Sequence, residues 1–367
     1  MISIALRNLL GEKTRFAISV GGVAFSVMLI LIILSLYQGW KIKSSEYISH
    51  VDTDLWVTQS GSADISNSAS YLPESVGKKI QVIDGVAEVN KFIGRPVNFK
   101  IKNQDTGTYI VGFDTDQPVS GPQHLVSGTA KPGDGEIVID KVLAQKRKLE
   151  LGDYIDVFGE KLKVVGIAKG ANMFLFQFSF VKAEEAERIL HTQGITNYYL
   201  VKVKNGELSS VRNEIKKIAG VDALTSSEFV EKNRRVIDEV FLPIITVLVL
   251  ISVLVGIAVI GLTIYTATVE KSREFGVIKA LGGSNGQLYR IIFEQSLLSG
   301  LIGFLVGTAA TYLLLWIIPY YVPVFVTYTR GVDLLLVFGL AIFMSLVASY
   351  IPVRRIASID PALVFKS

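Results

Sequence analysis

The sequence of 367 residues contains no cysteine and only three histidines. The absence of cysteine excludes a disulfide scaffold, a thiolate nucleophile and a zinc–thiolate site. The histidines, His50, His124 and His191, are far apart in the sequence, which argues against a histidine-rich metal site. The sequence also lacks a G-x-x-x-x-G-K-[ST] phosphate loop and an H-E-x-x-H motif. We therefore predict no catalytic residue, metal or bound cofactor in this chain.

Apolar residues are abundant: half of the residues are hydrophobic, and the mean hydropathy is +0.44. They concentrate in four blocks, each long enough to cross a hydrocarbon core of about 30 Å. The first block could be a signal peptide, but its apolar run is too long and no small-residue cleavage site follows it. An uncleaved anchor is therefore expected, and a purely soluble protein is excluded. The blocks are Phe16–Leu36, Phe241–Thr266, Ile291–Ile318 and Val332–Ile351.

The distribution of charge predicts the orientation of these spans. Residues 41–241 carry 26 Lys/Arg and 27 Asp/Glu, whereas the rest of the chain carries 11 and 6. Ten of those eleven basic residues lie near the two termini or in the loop near 267–290. Short loops rich in Lys and Arg stay in the cytoplasm. Both termini and this loop are therefore expected to be cytoplasmic. The net charge of +4 is explained by topology and implies no nucleic-acid partner.

The predicted fold is a membrane α-helical protein with four transmembrane helices, one and then three. A large α+β extracytoplasmic domain is inserted between the first and second helices. Residues 1–40 are predicted to form an N-terminal interfacial helix and the first span, 41–240 the outer domain with a helical stalk, and 241–367 the other spans with a cytoplasmic segment at 267–285. Within the outer domain, the segment MFLFQFSF could be a strand with a buried face or an exposed apolar patch.

The spans contain almost no ionisable side chains. Only Glu294 lies well inside one, within about one helical turn of the basic edge. Charges within the membrane ordinarily mark ion pathways and proton relays. This scarcity argues against a channel or a secondary transporter. If the protein moves a substrate, the energy is expected to come from a partner.

Small residues recur at every fourth position in the third and fourth spans. Such stripes allow helices to approach closely, either within one subunit or at the seam of a dimer. Both alternatives are open from the sequence. The positions are Ser299, Gly303, Gly307, Ala341 and Ser345.

A second pattern flanks the outer domain, where residues recur at steps of three and four. This spacing predicts two helices that pack as a coiled-coil-like stalk. A continuous stalk helix would transmit displacement between the membrane and the outer domain. The predicted seam positions are Tyr37, Trp40, Ser44, Tyr47 and Val51 after the first span, and Phe229 or Val230, Asn233, Val236 or Ile237, and Val240 before the second.

The loop between the second and third spans contains a short amphipathic helix. Phe275, Ile278 and Leu281 are predicted to share one helical face, and Gly282 and Gly283 end the helix. Adsorption to the membrane is one interpretation, but two glutamates on the polar face do not suit anionic lipid. Docking of the apolar face into the groove of a partner is the alternative.

The pattern E-K-x-x-E-x-G-x-x-K-A-L-G in this loop, followed by a Gly-rich span, resembles the MacB/FtsX superfamily of ABC transporter permeases. The resemblance extends to LRNLLGEKTRF, to GEIVIDKVLAQKRKLELGDYIDVFGEKLKVVGIAK and to the terminal PVRRIASIDPALVFK. It implies that the loop is a coupling helix that inserts into a separate ATPase. That role falls on Glu270, Arg273, Glu274, Gly276, Lys279, Ala280, Leu281 and Gly282.

The resemblance implies the permease subunit of an ABC transporter in the plasma (inner) membrane, in which the partner ATPase subunit binds ATP. Such permeases work as homodimers by mechanotransmission, in contact with membrane lipids. An extracytoplasmic adaptor or membrane-fusion protein is a further candidate partner. The implied activity is export of an amphipathic or hydrophobic substrate, with lipoprotein release, drug or peptide efflux and haem export all open. The alternative is a non-transport transducer that activates an extracytoplasmic partner.

Overall fold

The computed structural model describes residues 13–62, 64–65, 70–101, 104–170, 173, 176–281, 283–322 and 325–357. The chain divides into two compact units. We call Met1–Gly39 together with Val240–Ser367 the helical unit, and Trp40–Glu239 the inserted domain. The predicted interfacial helix at the N-terminus falls on residues 1–12, outside the described residues.

The helices differ widely in length, from 7 to 45 residues. In chain order they are α1 (Lys13–His50), α2 (Glu74–Gln81), α3 (Lys141–Arg147), α4 (Ala183–Leu190), α5 (Leu208–Lys216), α6 (Ser226–Glu270), α7 (Ser272–Ala280), α8 (Asn285–Tyr321) and α9 (Gly331–Ala357).

Four helices, α1, α6, α8 and α9, are long and apolar enough to cross a membrane, and each contains one of the predicted apolar blocks. The predicted order of one span, a large domain and three spans is thus confirmed. Two of these helices extend well beyond the predicted blocks. Helix α1 continues to His50, and α6 begins at Ser226.

Small residues set the packing of the helical unit. A Cβ atom on Gly303 of α8 would lie 2.5 Å from Val23 Cβ of α1, and one on Gly307 would lie 2.5 Å from the Ala24 carbonyl oxygen. Ser299, Ala341 and Ser345 are each at most 1% exposed. The stripes on α8 and α9 therefore face helices of the same chain, which favours the packing alternative over the dimer seam.

The strands of the inserted domain form a ten-stranded sheet in the order β12-β1-β11-β3-β4-β9-β6-β8-β5, with β7 paired to β8, and a small β10-β2 sheet. The β4–β9 and β6–β8 pairs are parallel, and the others are antiparallel. The strands are β1 (Leu55–Gln59), β2 (Leu72–Pro73), β3 (Val86–Ile101), β4 (Gln104–Phe113), β5 (His124–Gly128), β6 (Glu136–Asp140), β7 (Tyr154–Val157), β8 (Glu160–Lys169), β9 (Phe178–Lys182), β10 (Ile195–Thr196), β11 (Tyr198–Val203) and β12 (Val221–Thr225).

An aromatic core anchors α1 and α6 to this sheet. Phe229 of α6 stacks on Trp56 of β1, with 4.4 Å between ring centroids. Tyr47 of α1 packs edge-on against Phe178 of β9 at 4.6 Å. Phe178 and Phe180 are fully buried, so the last three residues of MFLFQFSF, which belong to β9, form a buried strand, as one of the two alternatives predicted. Burial also raises the pKa of Tyr109 and Tyr198, which keeps these phenols neutral inside the core.

Candidate functional site

The loop between the second and third membrane-type helices is almost entirely helical. Helix α6 ends at Glu270, and α7 begins at Ser272, so one residue, Lys271, separates them. Two backbone hydrogen bonds bridge this break: the Lys271 amide donates to the Ala267 carbonyl at 3.1 Å, and the Phe275 amide donates to the Lys271 carbonyl at 3.0 Å. The junction between α6 and α7 is therefore a one-residue turn and not a free loop.

The turn into α8 is built for a tight reversal. The Gly283 amide donates to the Ile278 carbonyl at 2.9 Å, and a Cβ on Gly283 would lie 2.6 Å from Ile278 Cγ2. Ser284 then caps α8 in a capping box, since its Oγ accepts from the Gln287 amide while Gln287 Oε1 accepts from the Ser284 amide. Gly282, predicted to end the coupling helix, lies outside the described residues.

The apolar residues of α7 do not share one surface, which corrects the prediction for Phe275. Phe275 is 6% exposed and packs in the core of the helical unit, whereas Ile278 is 38% and Leu281 84% exposed. The reason is geometric: six residues at 100° per residue place Phe275 and Leu281 about 120° apart around the helix. One edge of this wide stripe turns inward and the other outward.

The other predicted coupling residues surround this outward edge. Gly276 is buried, Lys279 is half-buried, and Arg273, Glu274 and Ala280 are exposed. Glu270, at the end of α6, forms an ion pair with Arg15 of α1. Glu294, the ionisable residue predicted inside the third span, pairs with Arg290 one turn earlier at 2.9 Å.

Within the inserted domain, the continuation of α1 and the start of α6 are joined by polar contacts. Lys41 Nζ lies 2.8 Å from Asp238 Oδ2, and Arg234 Nε donates to Ser45 Oγ at 2.9 Å. The two contacts are four residues apart on each helix and run in opposite directions along the chain, so the segments are antiparallel. The sequence pattern missed these contacts because they involve charged residues, which a search for an apolar seam passes over.

The apolar seam predicted for these segments is only partly observed. Ser44, Tyr47 and Val51 are at most 4% exposed, but Tyr47 and Val51 pack in the aromatic core of the sheet. Tyr37 is 7% exposed, and Trp40 is half-buried.

On α6 the predicted seam is wrong at Val240, which is 49% exposed; of the two alternatives before it, Ile237 is buried and Val236 is half-buried. Phe229, Asn233 and Ile237 are the buried residues there. The apolar seam is only partly observed because the buried residues of these two segments pack against the sheet as well as against the partner helix.

The start of α6 is fixed by a capping box that the sequence signals as T-x-x-E. The Glu228 amide donates to Thr225 Oγ1 at 3.2 Å, and the Thr225 amide donates to Glu228 Oε2 at 2.9 Å. Arg212 of α5 donates to both oxygens of the same carboxylate, at 2.9 and 2.7 Å. Both hydrogen bonds come from Nη2, while Arg212 Nε donates to the Ala223 carbonyl at 3.0 Å, so one guanidinium links the start of α6 to β12.

Two of the three histidines meet in the fold although they are distant in sequence. The ring centroids of His50 and His124 are 6.1 Å apart, and His50 Nδ1 lies 2.6 Å from the Glu46 carbonyl oxygen. Among the residues that the structure describes, no group of three or more His, Asp and Glu side chains could hold a metal ion. The pair alone does not define a metal centre.

These features define a class of protein: a membrane protein with four apolar helices and a large α/β domain between the first two. A family model described as MacB-like periplasmic core domain matches residues 16–218. A second, described as FtsX-like permease C-terminal, matches residues 246–361. The first match covers more than half of the chain, and the chain belongs to the MacB/FtsX-like family of ABC transporter permeases.

Relatives support the same family along the whole chain. The chain is 22% identical over 373 residues to an uncharacterized ABC transporter permease of Mycobacterium tuberculosis, covering 100% of this chain and 99% of the relative. It is 29% identical over 229 residues to an uncharacterized ABC transporter permease of Methanocaldococcus jannaschii, covering 59% and 57%. A relative in Staphylococcus haemolyticus, provisionally named hemin transport system permease protein HrtB, is 22% identical and covers 90% and 91%.

Solved structures resemble parts of the chain. The periplasmic region of MacB from Actinobacillus actinomycetemcomitans has a TM-score of 0.40 and 10% identity, covering 50% of this chain and 93% of that one. The extracellular domain of the noncanonic ABC-type transporter YknZ from Gram-positive bacteria has a TM-score of 0.36 and 17% identity, covering 47% and 98%.

Proposed function

We propose that this permease is the transmembrane, non-catalytic subunit of an ABC transporter complex. A separate ATPase binds and hydrolyses ATP, and this chain converts the resulting movement into export of an amphipathic or hydrophobic substrate. Family membership supports the ATPase partner. The scarcity of ionisable residues inside the spans supports an external source of energy, because ion-driven transport requires such residues.

The observation that carries the proposal is the continuity of α6. It is one helix of 45 residues, about 70 Å long, from Ser226 beside the sheet of the inserted domain to Glu270, two residues before the start of α7. It remains helical through Pro243, which removes one backbone hydrogen bond and is therefore the point where it bends most easily. A force applied at α7 can travel along this helix to the aromatic core around Phe229.

The docking surface for the ATPase is the outward edge of α7. Val277, Ile278 and Leu281 are exposed there, beside Arg273 and Glu274. Exposed apolar residues on a short helix suit a groove in a partner, and the flanking charges suit a polar rim. Phe275 holds the opposite edge against the helical unit, so a docked partner would act on the bundle through it.

The proposed orientation follows the basic residues. Arg15, Arg273, Arg290 and Arg354 lie near those ends of α1, α7, α8 and α9 that we assign to the cytoplasm in the plasma membrane. The inserted domain is then extracytoplasmic and both chain termini are cytoplasmic. A permease homodimer, with an outer adaptor as a further partner, completes the proposed complex. Because the Gly303 and Gly307 stripe is already covered by α1, it does not supply the dimer contact.

Affinity capture from native membranes tests the ATPase partner. Replacing Leu281 with Asp puts a charge on the proposed docking surface without touching the core, and we expect the ATPase to be lost from the captured complex. Val82→Asp in the inserted domain is the matched control, because Leu281 and Val82 are both 84% exposed. Retention of the ATPase by the Leu281→Asp variant would contradict docking on α7.

Transport and transduction are separated by a second measurement on the intact complex. An exporter consumes ATP and depletes a labelled amphipathic substrate from proteoliposomes. A transducer consumes ATP and stimulates an extracytoplasmic hydrolase with no substrate movement. Depletion that depends on both ATP and Leu281 supports the exporter, and hydrolase stimulation alone supports the transducer.

A further inference from the structure

A small cavity lies within the helical unit, where α1, α6, the α6–α7 junction and α8 come together. Phe275 of α7 forms part of its wall, which is more apolar than polar. The polar part of the lining comes from Arg15, Ser19, Thr263, Thr268, Lys271, Gln295 and Ser299.

The lining of this cavity is cationic. Two of its side chains, Arg15 and Lys271, are basic, and among the described residues that line it none is a carboxylate. Arg15 also pairs with Glu270 at the rim. A guanidinium can bind a carboxylate and a second oxyanion together because it carries five N–H donors in a fixed fork.

Ser299 provides an independent indication of a polar ligand. Its side chain lines the cavity, the residue is 1% exposed, and its Oγ has no hydrogen-bond partner among the residues described. Buried hydroxyl groups in membrane helices ordinarily bond to protein or to ordered water. A ligand oxygen in the cavity would satisfy this hydroxyl.

The size of the cavity limits what it can hold. Its volume is about 40 Å³, which is enough for about three to four waters at roughly 10–15 Å³ each. A phosphate group has four oxygens, so one such group fills this space. A nucleotide, which adds a base and a sugar, does not fit.

We propose that this cavity binds one phosphate group, through Arg15, Lys271 and the hydroxyl of Ser299. The group could belong to a lipid headgroup at the membrane surface or to free inorganic phosphate. Because the walls come from α1, α6, α8 and Phe275 of α7, an occupant would tie the coupling segment to the bundle. The site is distinct from the docking surface on α7 and does not depend on the ATPase.

The test uses the full chain, purified in a phosphate-free detergent and stripped of lipid. Thermal unfolding is followed while phosphatidylglycerol, a galactolipid with the same acyl chains, or inorganic phosphate is added. We expect phosphatidylglycerol to raise Tm more than the galactolipid does. Half-maximal stabilisation should need at least about tenfold more phosphatidylglycerol in the Lys271→Gln and Ser299→Ala variants, since each loses a charged or buried hydrogen bond.

Lys13→Gln is the control for loss of a nearby charge, because Lys13 is exposed at the start of α1 and does not line the cavity. In the absence of any ligand, the Ser299→Ala variant must have the same Tm as the original chain, which separates loss of binding from loss of folding. Equal stabilisation by inorganic phosphate alone, with the same variant dependence, assigns the site to free phosphate. Equal effects of phosphatidylglycerol and galactolipid, or an undiminished response in both cavity variants, would overturn the proposal.

Discussion

Single glycines determine how closely the membrane helices approach one another. Gly303 has Val23 of α1 against it, and a Cβ there would also lie 3.2 Å from the Val20 carbonyl oxygen. Gly339 of α9 has open space around it, with no heavy atom within 4 Å of an added Cβ. The two residues are both helical, so the same substitution at each separates packing from helix propensity.

Gly303→Ala should lower the stability of the helical unit by about 1–3 kcal/mol, because the added methyl group forces α1 and α8 apart. Gly339→Ala should leave stability unchanged or raise it by up to about 1 kcal/mol, because alanine is the better helix former. Thermal unfolding of the full chain in detergent measures both. A Gly303→Ala variant at least as stable as Gly339→Ala would show that α8 does not pack on α1 through this residue.

Substitutions at the inward and outward edges of the apolar stripe on α7 should change the stability of the chain by different amounts. Phe275→Asp buries a charge in the core of the helical unit and should destabilise the chain by at least about 3 kcal/mol. Leu281→Asp changes an exposed side chain and should shift stability by no more than about 0.5 kcal/mol. Unfolding midpoints of the two purified variants provide the comparison, and equal destabilisation would refute the assigned burial.

The sequence could identify those site residues whose position is set within a single helix, and not those whose position is set by contacts between distant segments. Small residues at four-residue spacing predicted the positions of close packing on α8 and α9, because the spacing of one helix decides which residues share a face. The inward position of Phe275 could not be predicted, because it depends on where neighbouring helices lie around α7. The meeting of His50 and His124 likewise depends on contacts between distant parts of the chain.

At the scale of elements, α1 and α6 are each anchored in the sheet of the inserted domain. Stacking of Phe229 on Trp56 and the Arg212–Glu228 contact fix the start of α6. The ion pair between Lys41 and Asp238 joins the two helices, with side chains 24% and 29% exposed. Partly buried pairs are screened less than fully exposed ones, so this contact should be measurable.

A double-mutant cycle on Lys41→Ala and Asp238→Ala tests the pairing of the helices. We expect a coupling free energy of about 0.5–1 kcal/mol, because the pair is only partly shielded from water. Chemical unfolding of the full chain and of the three variants gives the cycle. The pair Lys78 and Glu74, with side chains 74% and 50% exposed, is the control and should show weaker coupling. Equal coupling in the two pairs would count against a link between α1 and α6.

The sequence predicted which segments form long helices better than it predicted how helices and strands pack together. Four apolar runs predicted α1, α6, α8 and α9, because the thickness of a bilayer sets their length. The order of the sheet was not predictable, since β4 pairs in parallel with β9 across more than sixty residues of chain. The stalk prediction failed at Val240 because a period of three and four residues identifies an apolar stripe without identifying what covers it.

At the scale of the whole molecule, the proposed role is that of a mechanical relay driven by a separate ATPase. Its sequence contains no nucleotide-binding loop, and the family to which it belongs consists of ABC transporter permeases. The central claim is that movement at α7 reaches the inserted domain through α6. A flexible insertion in α6 should therefore disconnect the two ends without removing either.

The most direct measurement follows the inserted domain while the ATPase works. The complex is reconstituted in nanodiscs with spin labels at Val82 of the inserted domain and at Val332 of α9, both exposed. A Gly-Gly-Ser insertion between Glu239 and Val240 provides the disconnected variant, and it should retain the bound ATPase. The account predicts that trapping ATP changes the distance between labels in the uninterrupted chain and leaves it unchanged in the insertion variant. The same ATP-dependent change in both, or a change in the permease without its ATPase, would contradict it.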